Sequence, residues 1–486
     1  PTGEGRERVA VSPPRGHTPA VTSPDQRLIF RGGKWGSAVP LAVFFIFTMG
    51  LVFVGAPKEE GMIIGAMIGL SLGMLFVTNV AAYSERIFTL MANRTATVAV
   101  VCWLWAGAFA GILGASGLVE ATVWAGWKMG LTGKWFVLVV FFMAALFAVS
   151  VGTGLGTVVG FTPIMYPAGI ILGGDPAVLM GAIFSGATLG DNLAPISDTT
   201  IVSATTQETD IGGVVRSRLK YVVVAAALAS LCFLAFGDGA GGSRPGDTGE
   251  LLSQHANPAG LPMLIPAALV FIVAVCGYHF LAALTAGIVS ALILGPAIGV
   301  FSVVDVFSIT GDGSVSGSAV KGAMGLVPVA ILTLLLVTAI GLMAEGGFLA
   351  AMMDWLDRKF AQTRRGAEGS IVALTSFSNL CVSVNTVAMI TVGPLINELR
   401  KRHDIHPHRS ANLMDAISCS FPSLLPYSAS IPAAAAIQRR LNSQEQYSEI
   451  VPVLTWSQEA PFIFYGMTLF IVMIGAVVTG WGRKTG

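Results

Sequence analysis

Residues Ser185 to Thr200 read Ser-Gly-Ala-Thr-Leu-Gly-Asp-Asn-Leu-Ala-Pro-Ile-Ser-Asp-Thr-Thr. This stretch places two acids, Asp191 and Asp198, in an otherwise uncharged segment of membrane-like composition. A carboxylate at the centre of a bilayer costs roughly 2.5–3.5 kcal/mol even on a lenient scale, so such acids usually face the protein interior or a cavity. We therefore expect this segment to bind a cation or a proton.

The composition of the whole chain is that of a polytopic membrane protein. Of its 486 residues, 54% are hydrophobic and only 11% are charged. Uncharged runs of about 20 residues, the length that a membrane-spanning helix needs, recur along the sequence. The 28 basic and 27 acidic residues nearly balance, so we expect no nucleic-acid partner. All five cysteines lie in apolar segments, where they are expected to act as small buried hydrophobic residues.

Two uncharged stretches carry breaks near membrane depth. The stretch 135–174 has clustered glycines at 152–160, midway along it, and two prolines follow them. The stretch 369–397 is too short for two full spans and has Ser383, Asn385 and Thr386 near its middle. Both patterns predict re-entrant hairpins.

The two halves of the chain carry related motifs in the same order. Thr153-Gly-Leu-Gly-Thr157 corresponds to Ser383-Val-Asn-Thr386, Leu179-Met-Gly-Ala-Ile183 to Leu413-Met-Asp-Ala-Ile417, and Leu193-Ala-Pro-Ile-Ser197 to Leu424-Leu-Pro-Tyr-Ser428. The separation in sequence is nearly the same for all three pairs. Three matches at nearly one offset indicate an ancestral duplication.

The basic residues predict the topology. Taking 176–205 and 409–436 as interrupted spans, we expect an all-α polytopic fold of about ten transmembrane helices plus two re-entrant hairpins. An amino terminus on the inside puts most lysines and arginines, Arg216, Arg218 and Lys220 among them, in cytoplasmic segments. Five crossings then separate the hairpins, so the halves form inverted repeats with interrupted helices, an arrangement typical of secondary transporters. We expect both termini on the cytoplasmic side of the plasma membrane.

This topology divides the chain into five segments. They are a cytoplasmic tail with no apolar stretch long enough for a signal peptide (1–34), amino-terminal scaffold helices (35–134), the first repeat of the transport core (135–237), connecting scaffold helices (238–344), and the second repeat with a carboxy-terminal helix (345–482).

Oxygen-bearing side chains gather at the breaks, and oxygen ligands suit sodium better than a softer metal. The residues expected to form a sodium and proton site are Asp191, Asp198, Ser197, Thr199, Thr153 and Thr157. Those expected to contact a substrate are Ser383, Asn385, Thr386, Asn192, Ser428 and Asp415.

Each assignment has a structural alternative. Asp191 and Asp198 are alternatively helix caps or loop residues. Asp415 follows Arg409 by six residues, so a structural ion pair between them is an alternative to a substrate role. The polar residues at 383–386 are alternatively partners of freed backbone groups or of a neighbouring helix.

The motif Ser185-Gly-Ala-x-x-Gly-Asp191-x-x-x-Pro195-x-Ser-Asp198-Thr-Thr200 resembles the signature of the NhaC family of sodium/proton antiporters, within the ion-transporter superfamily. Phe30-Arg-Gly-Gly33 and the region from Arg409 to Asp415 extend the resemblance over about residues 28–480. Asp191 and Asp198 match the two acidic positions of the family. The second half departs from the family's pattern, with Asn412-Leu-Met-Asp415 and Pro426-Tyr427 where an acidic pair and Pro-Trp are commoner.

The resemblance implies sodium/proton antiport, or sodium- and proton-coupled exchange of a small organic acid or amino acid, by a core that moves against a scaffold in a homodimer. Burial favours the protonated form of a carboxyl group and a bound sodium ion favours the ionised form, so competition at a shared aspartate produces antiport. A sodium-coupled transporter of a small carboxylate or amino acid is the alternative. The chain has no nucleotide-binding loop and no hydrolase motif, and we predict neither a cofactor nor enzymatic activity.

Overall fold

A computed structural model describes most of the chain: residues 28–54, 59–92, 94–151, 153–195, 197–238, 256–276, 278, 280–311, 313–348, 351, 355, 358, 363–382, 385–445 and 447–483. Most of the expected cytoplasmic tail and the expected substrate residue Ser383 lie outside the described residues.

The described chain consists almost entirely of helices. In chain order they are α1 Lys34–Ser37, α2 Val39–Phe53, α3 Glu59–Gly73, α4 Val80–Met91, α5 Arg94–Gly114, α6 Leu118–Lys128, α7 Lys134–Val151, α8 Gly154–Ile171, α9 Pro176–Leu193, α10 Asp198–Thr206, α11 Ile211–Phe236, α12 Leu264–Val275, α13 Phe280–Ile298, α14 Val303–Val306, α15 Ser318–Met324, α16 Val327–Glu345, α17 Arg364–Val382, α18 Asn385–Arg402, α19 Pro407–Ser420, α20 Ser430–Asn442, α21 Trp456–Glu459 and α22 Phe464–Thr479. Short 3-10 helices cover Met74–Phe76, Pro258–Met263, Pro422–Leu424 and Ala460–Phe462.

The described residues contain one small antiparallel sheet. Strands β1 (Ser308–Ile309) and β2 (Val315–Ser316) pair with Ser308 opposite Ser316. The predicted fold class, an all-α polytopic membrane protein, is therefore confirmed.

Length and composition identify spans that could cross a bilayer among the described residues. Four segments qualify, namely Gly154–Ile171, Pro176–Thr206, Ile211–Phe236 and Leu281–Ile298, and counting two bent helix pairs raises the number to six. The second segment joins α9 and α10 across their break, as the interrupted span near 176–205 predicted. The total of ten crossings stays a prediction.

The four breaks predicted from the sequence coincide with helix ends. Helices α7, α8, α9 and α10 begin at residues 134, 154, 176 and 198, while α17, α18, α19 and α20 begin at 364, 385, 407 and 430. Each beginning in the first set thus recurs in the second at nearly the same separation along the chain. The helix boundaries therefore repeat together with the sequence motifs, which supports the duplication.

Local sequence explains where α9 begins and ends. Asp175 caps its amino terminus by accepting hydrogen bonds from the backbone N–H groups of Ala177 and Val178, and proline occupies the first helical position. At the other end Ala194 precedes Pro195 and adopts an extended backbone conformation, since a residue before proline avoids the helical region. Helix α19 also begins at a proline, Pro407, after the cap residue His406.

The first hairpin, α7 and α8, opens toward the carboxy-terminal end of α11. The N–H of Gly133 donates to the carbonyl of Leu172 at 2.7 Å, which joins the beginning of α7 to the end of α8. The backbone N–H and the ammonium group of Lys134 lie 2.9 and 3.0 Å from the carboxylate of Asp238, just beyond α11. Both open ends of this hairpin therefore lie beside residue 238.

The second hairpin, α17 and α18, opens toward the beginning of α11. Glu208, before α11, accepts hydrogen bonds from Lys401 at 2.8 Å and Asn397 at 2.9 Å, near the end of α18. These hydrogen bonds lower the pKa of Glu208. Asp210, the cap residue of α11, lies 3.0 Å from His408 in the first turn of α19. The hairpins thus open toward opposite ends of one 26-residue helix, the arrangement predicted for inverted repeats.

Close packing of α9 on α7 depends on two glycines of the opening motif. A Cβ atom at Gly186 or at Gly190 would overlap the carbonyl oxygens of Phe141 and Ala145. Small residues that let helix backbones approach are a common means of helix association in membranes. The glycines of the motif therefore fix the helix that carries Asp191.

Two clusters of buried apolar side chains organise the rest of the molecule. The larger one joins the helices of both repeats with α5, α6 and α22. The smaller one joins α2, α3, α4 and α16 and reaches Ala388 of α18 and Tyr427 in the second break. The amino-terminal helices thus pack against the second repeat as well as against each other.

Candidate functional site

Asp191 lies in the last turn of α9, where the helix ends at its break, and it is half-buried. Its Oδ1 accepts a hydrogen bond from the hydroxyl of Ser197 at 2.8 Å. Ser197 caps α10, and its Oγ lies 2.9 Å from the hydroxyl of Thr199. The break therefore brings one carboxylate and two hydroxyl groups together.

The tip of the first hairpin lies beside Asp191. A Cβ atom on Gly154 would stand 3.6 Å from the Cβ of Asp191. Thr153 precedes α8, and its carbonyl accepts a hydrogen bond from the hydroxyl of the buried Thr157 at 3.0 Å. Thr153 is thus near Asp191 in the fold, whereas the Thr157 hydroxyl is engaged by its own helix.

Asp198, the first residue of α10, is exposed on the protein surface. The sequence predicts that both acids are enclosed by the protein, and the structure differs for this one. The reason is local, because Ser197 turns inward to cap α10 and the next side chain points outward.

Asp415 is fully buried in α19 and forms an ion pair with Arg218 of α11, which is itself 0% exposed. Asp415 Oδ1 also accepts hydrogen bonds from Asn192 and from the Cys419 thiol, both at 3.3 Å. Its Oδ2 accepts one from Ser203 at 3.1 Å in addition to that from Arg218. Each oxygen of this carboxylate therefore has two donors.

Arg218 connects the break of the first repeat with the second repeat. Its guanidinium donates to the main-chain carbonyl of Asn192, at the end of α9, and to the hydroxyl of Thr200 at 3.1 Å. Its Nε donates to Asn412 Oδ1 at 3.0 Å in α19. The carbonyl that the break frees is thus satisfied by a buried cation.

A chain of polar side chains, Ser197, Thr199 and Cys419, links Asp191 to Asp415. The Thr199 hydroxyl lies 3.8 Å from Cys419 Sγ, and this thiol donates to Asp415. On the other side Asn192, next to Asp191 in sequence, accepts a hydrogen bond from the hydroxyl of Tyr465 in α22 at 3.3 Å.

The expected substrate residues of the second half do not form one group. Asn385 and Thr386, at the start of α18, are half-buried, and the Asn385 carbonyl lies 3.5 Å from the Ser418 hydroxyl. Ser428 is buried in the second break, with its Oγ 3.3 Å from that of Ser430. Asn192 and Asp415 are hydrogen-bonded to each other in the interior.

The surroundings of Arg409 and of Arg218 both differ from what the sequence predicts. Asp415 does not pair with Arg409, which instead donates to Glu368 of α17 at 3.1 Å and to the Tyr221 hydroxyl at 2.6 Å. The charge pattern predicts a cytoplasmic segment around Arg218, but α11 begins at residue 211 and encloses this side chain.

A signal for Arg218 is present in the sequence. Val214, Arg218, Tyr221, Ala225 and Ala229 recur at helical spacing and are all buried, so Arg218 takes a core position of an amphipathic helix. A charge at such a position requires a buried partner.

The described residues contain no cluster of three or more His, Cys, Asp or Glu side chains arranged to hold a metal. The groups at the first break are one carboxylate and several hydroxyl and carbonyl oxygens. Such oxygens suit a hard monovalent cation that passes through, and the donor set offers no nitrogen or sulfur pair for a transition metal.

Comparisons with known proteins agree with this chemistry. The model of the Na+/H+ antiporter family matches residues 28–237. The "Malate-2H(+)/Na(+)-lactate antiporter" of Bacillus subtilis is 28% identical over 236 residues, 48% of this chain and 49% of that protein. The "Na(+)/H(+) antiporter NhaC" of Alkalihalophilus pseudofirmus is 25% identical over 283 residues, 56% of this chain and 60% of that protein. The chain thus aligns with about half to three fifths of these relatives.

Two solved transporter structures are also similar. The YdaH transporter of Alcanivorax borkumensis matches with a TM-score of 0.39 and 15% identity, over 83% of this chain and 90% of that one. MtrF of Neisseria gonorrhoeae, an antimetabolite efflux pump, matches with a TM-score of 0.39 and 12% identity, over 90% of this chain and 94% of that one. The family model and the curated relatives support the resemblance that the Asp191 motif indicated: residues 28–237 of this chain match the Na+/H+ antiporter family, and the relatives include an NhaC antiporter.

Proposed function

We propose that this protein exchanges Na+ for H+ across a membrane, with Asp191 as the group that the two ions occupy in turn. The observation that carries the proposal is the position of Asp191 at a helix break, where it is half-buried and, among the described residues, has Ser197 as its one hydrogen-bond donor. The match of residues 28–237 to the Na+/H+ antiporter family supports the same activity.

The mechanism follows from the partners of the carboxylate. The Ser197 hydroxyl donates to Asp191. A hydroxyl oxygen can equally present its lone pairs to a cation, so rotation of Ser197 and Thr199 would turn the same groups into sodium ligands. A proton on Asp191 removes the charge that holds sodium, and sodium disfavours the proton. Mutual exclusion at one carboxylate suffices for antiport.

We assign different roles to the other side chains expected at this site. Thr153 stands at the hairpin tip beside Asp191, where its carbonyl and hydroxyl are suited to complete the sodium shell, and Thr157 fixes the first turn of α8. Asp198, being exposed, is suited to attract cations to the entrance rather than to hold them.

The orientation belongs to the same proposal. The end of α11 near residue 211 gathers Lys220, Lys401, His408 and the Arg400–Arg402 group, and positive charge favours the cytoplasmic side. We assign that end, and both termini, to the cytoplasm of a cell whose plasma membrane holds the protein. The segment boundaries at 34, 134, 237 and 344 and the homodimer remain proposals of the same kind.

The test is proton movement in proteoliposomes driven by a sodium gradient and followed with a pH-sensitive dye. Asp191→Asn should abolish the sodium-dependent signal while the purified protein keeps its elution profile and thermal transition. Asp404→Asn is a matched control, since it makes the same chemical change at an exposed loop residue with a positive φ, which asparagine tolerates. Normal exchange by Asp191→Asn would defeat the proposal.

A second candidate function is sodium-coupled exchange of a small carboxylate. It is favoured by the relative named as a malate and lactate antiporter and by the hydrogen-bonding side chains of the second half, Asn385 and Thr386 at the hairpin start and Ser428 in the break. Uptake of labelled malate or lactate at equal pH on both sides of the membrane separates the two. Sodium-dependent uptake supports the exchanger, whereas sodium-dependent proton movement without any uptake supports simple antiport.

A further inference from the structure

The structure contains a cavity that shares no lining residue with the Asp191 site. It has a volume of about 890 Å3 and lies where the end of α5, the beginning of α15 and the end of α20 meet. Volumes of roughly 300–1,000 Å3 are typical of pockets for small organic ligands.

The cavity opens at the end of the molecule away from the Glu208 and His408 contacts. Asn442, at the end of α20, donates to the carbonyl of Val451 at 2.8 Å, and the carbonyl of Pro452 accepts from Tyr166 near the end of α8. That end of α8 meets the segment around Asp238. In the orientation assigned above, this is the outer side.

Two cations line this cavity. Arg440 is half-buried, and within the described residues its guanidinium has one hydrogen-bond acceptor, the carbonyl of Ser318 at 3.2 Å. Lys321 is exposed on the wall and makes no ion pair or hydrogen bond with the described residues. A half-buried guanidinium that pairs with no carboxylate of the described residues favours an anionic ligand, since a buried charge without a partner is costly.

Gly111, on the cavity wall, and Gly322 both lie beside the guanidinium of Arg440. A Cβ atom on Gly111 would stand 3.1 Å from Nη2, and one on Gly322 would stand 3.0 Å from Nη1. The atoms nearest to those two Cβ positions are the main-chain oxygens of Ser318 and Gly107, so the glycines let α5 and α15 pack backbone to backbone, and the guanidinium lies at the edge of that contact. The hydroxyl of Ser318, also on the wall, is a buried polar atom without a partner in the described residues.

Acidic residues at the same cavity narrow the choice of ligand. Asp305 accepts two hydrogen bonds from Ser302, which leaves it engaged locally, and Glu445 is exposed on the rim. Two cations and two acids give the cavity little net charge, which favours a singly charged anion over a divalent phosphate. A planar carboxylate matches the fork of a guanidinium, with the Lys321 ammonium and the Ser318 hydroxyl as further donors.

We propose that this outer cavity binds a small organic monocarboxylate through Arg440, Lys321 and Ser318. The ligand would join α5 and α15 to the second repeat, whose helix α20 carries Arg440. The inference does not depend on which ion or substrate the Asp191 site carries.

The test is calorimetric titration of the purified protein with lactate and, separately, with inorganic phosphate at constant ionic strength. Wild-type protein should bind lactate. Arg440→Gln should weaken binding at least about tenfold, because loss of a hydrogen bond to a charged group changes affinity by about that factor. Lys321→Gln should weaken binding by a smaller factor. Because Lys321 is exposed, its replacement leaves folding intact, and the test stays decisive even where Arg440→Gln fails to fold.

Two controls separate this cavity from nonspecific anion binding and from the Asp191 site. Lys128→Gln removes a lysine whose ammonium lies 5.0 Å from the Trp127 ring and which does not line the cavity, and it should leave lactate binding unchanged. Asp191→Asn should also bind lactate normally, even where transport is lost. Three results would overturn the proposal. They are equal lactate affinity in wild type, Arg440→Gln and Lys321→Gln, tighter binding of phosphate than of lactate, and no binding of lactate at millimolar concentration.

Discussion

Asp191 and Asp415 are two carboxylates of the same interior that differ in how many partners the protein supplies. Asp415 is fully buried, and four donors, Arg218 among them, occupy both of its oxygens. Asp191 is half-buried and, within the part of the chain that the structure describes, accepts one side-chain hydrogen bond, from Ser197. One acid is neutralised by the chain itself, and the other retains coordination sites for an ion.

The difference separates an acid that joins helices from the acid that we propose to bind ions. A carboxylate with a fixed cation cannot release its charge compensation without moving a helix, because the guanidinium of Arg218 also holds the Asn192 carbonyl and Asn412. A carboxylate whose only partner is a hydroxyl can exchange that partner for sodium or a proton at low cost. We therefore propose that Asp415 joins the repeats through Arg218, while its substrate contact stays a prediction.

The largest predicted effect comes from Arg218→Gln. The change leaves Asp415 buried without its counter-charge, and breaking a buried ion pair typically costs about 3–5 kcal/mol. We expect a much lower yield of monodisperse protein and a much lower thermal transition in detergent.

A double variant provides the control for Arg218. Arg218→Gln combined with Asp415→Asn removes both charges, so it should recover part of the stability that the single change loses. If Arg218→Gln alone unfolds at the wild-type temperature, the guanidinium is dispensable and the contrast between the two acids disappears.

The sequence predicted the framework of this contrast better than its details. Glycine and proline content, together with three motif matches, located all four breaks, since such residues interrupt helices wherever tertiary packing places them. The inverted orientation followed from counting crossings between the hairpins. The ion pair between Arg218 and Asp415 could not be predicted in this way. The two residues belong to different halves of the chain, and only the packing of α11 on α19 brings them together.

The charge count also misled the assignment of Arg218. The positive-inside rule treats every basic residue near a span end as solvated, and it therefore counted a buried arginine with its exposed neighbours Arg216 and Lys220. Helical periodicity of the flanking apolar residues contradicts that placement, so the two patterns need to be considered together. The exposure of Asp198 could not be predicted from the sequence either, because the direction of a side chain at the start of a helix depends on the cap geometry.

A smaller effect is expected from Ser197→Ala. Loss of the hydroxyl removes the hydrogen bond to Asp191 and a candidate sodium ligand, and a hydrogen bond to a charged group contributes about 1.5 kcal/mol or more, close to tenfold in affinity. The sodium concentration for half-maximal proton movement should rise by about that factor, with exchange still complete at saturating sodium. Ser203→Ala, which removes a donor to Asp415 instead, should leave the sodium dependence near that of wild type. Equal shifts in both variants would mean that Asp191 and Asp415 form a single ion site.

The smallest effect concerns a third acid, Asp210, which lies at the surface and has fixed partners. The backbone N–H of Gly213 and the side chain of His408 lower the pKa of Asp210 below its ordinary value. An acid whose pKa is lowered on folding contributes stability above its unfolded-state pKa, and this contribution is lost as the pH falls through the folded-state value. Asp210→Asn can still cap α11 but does not titrate, so its thermal transition should fall less steeply than that of wild type below about pH 4. Matching acid profiles of the two proteins would show that the Asp210 contacts with Gly213 and His408 do not contribute to the stability of the folded state.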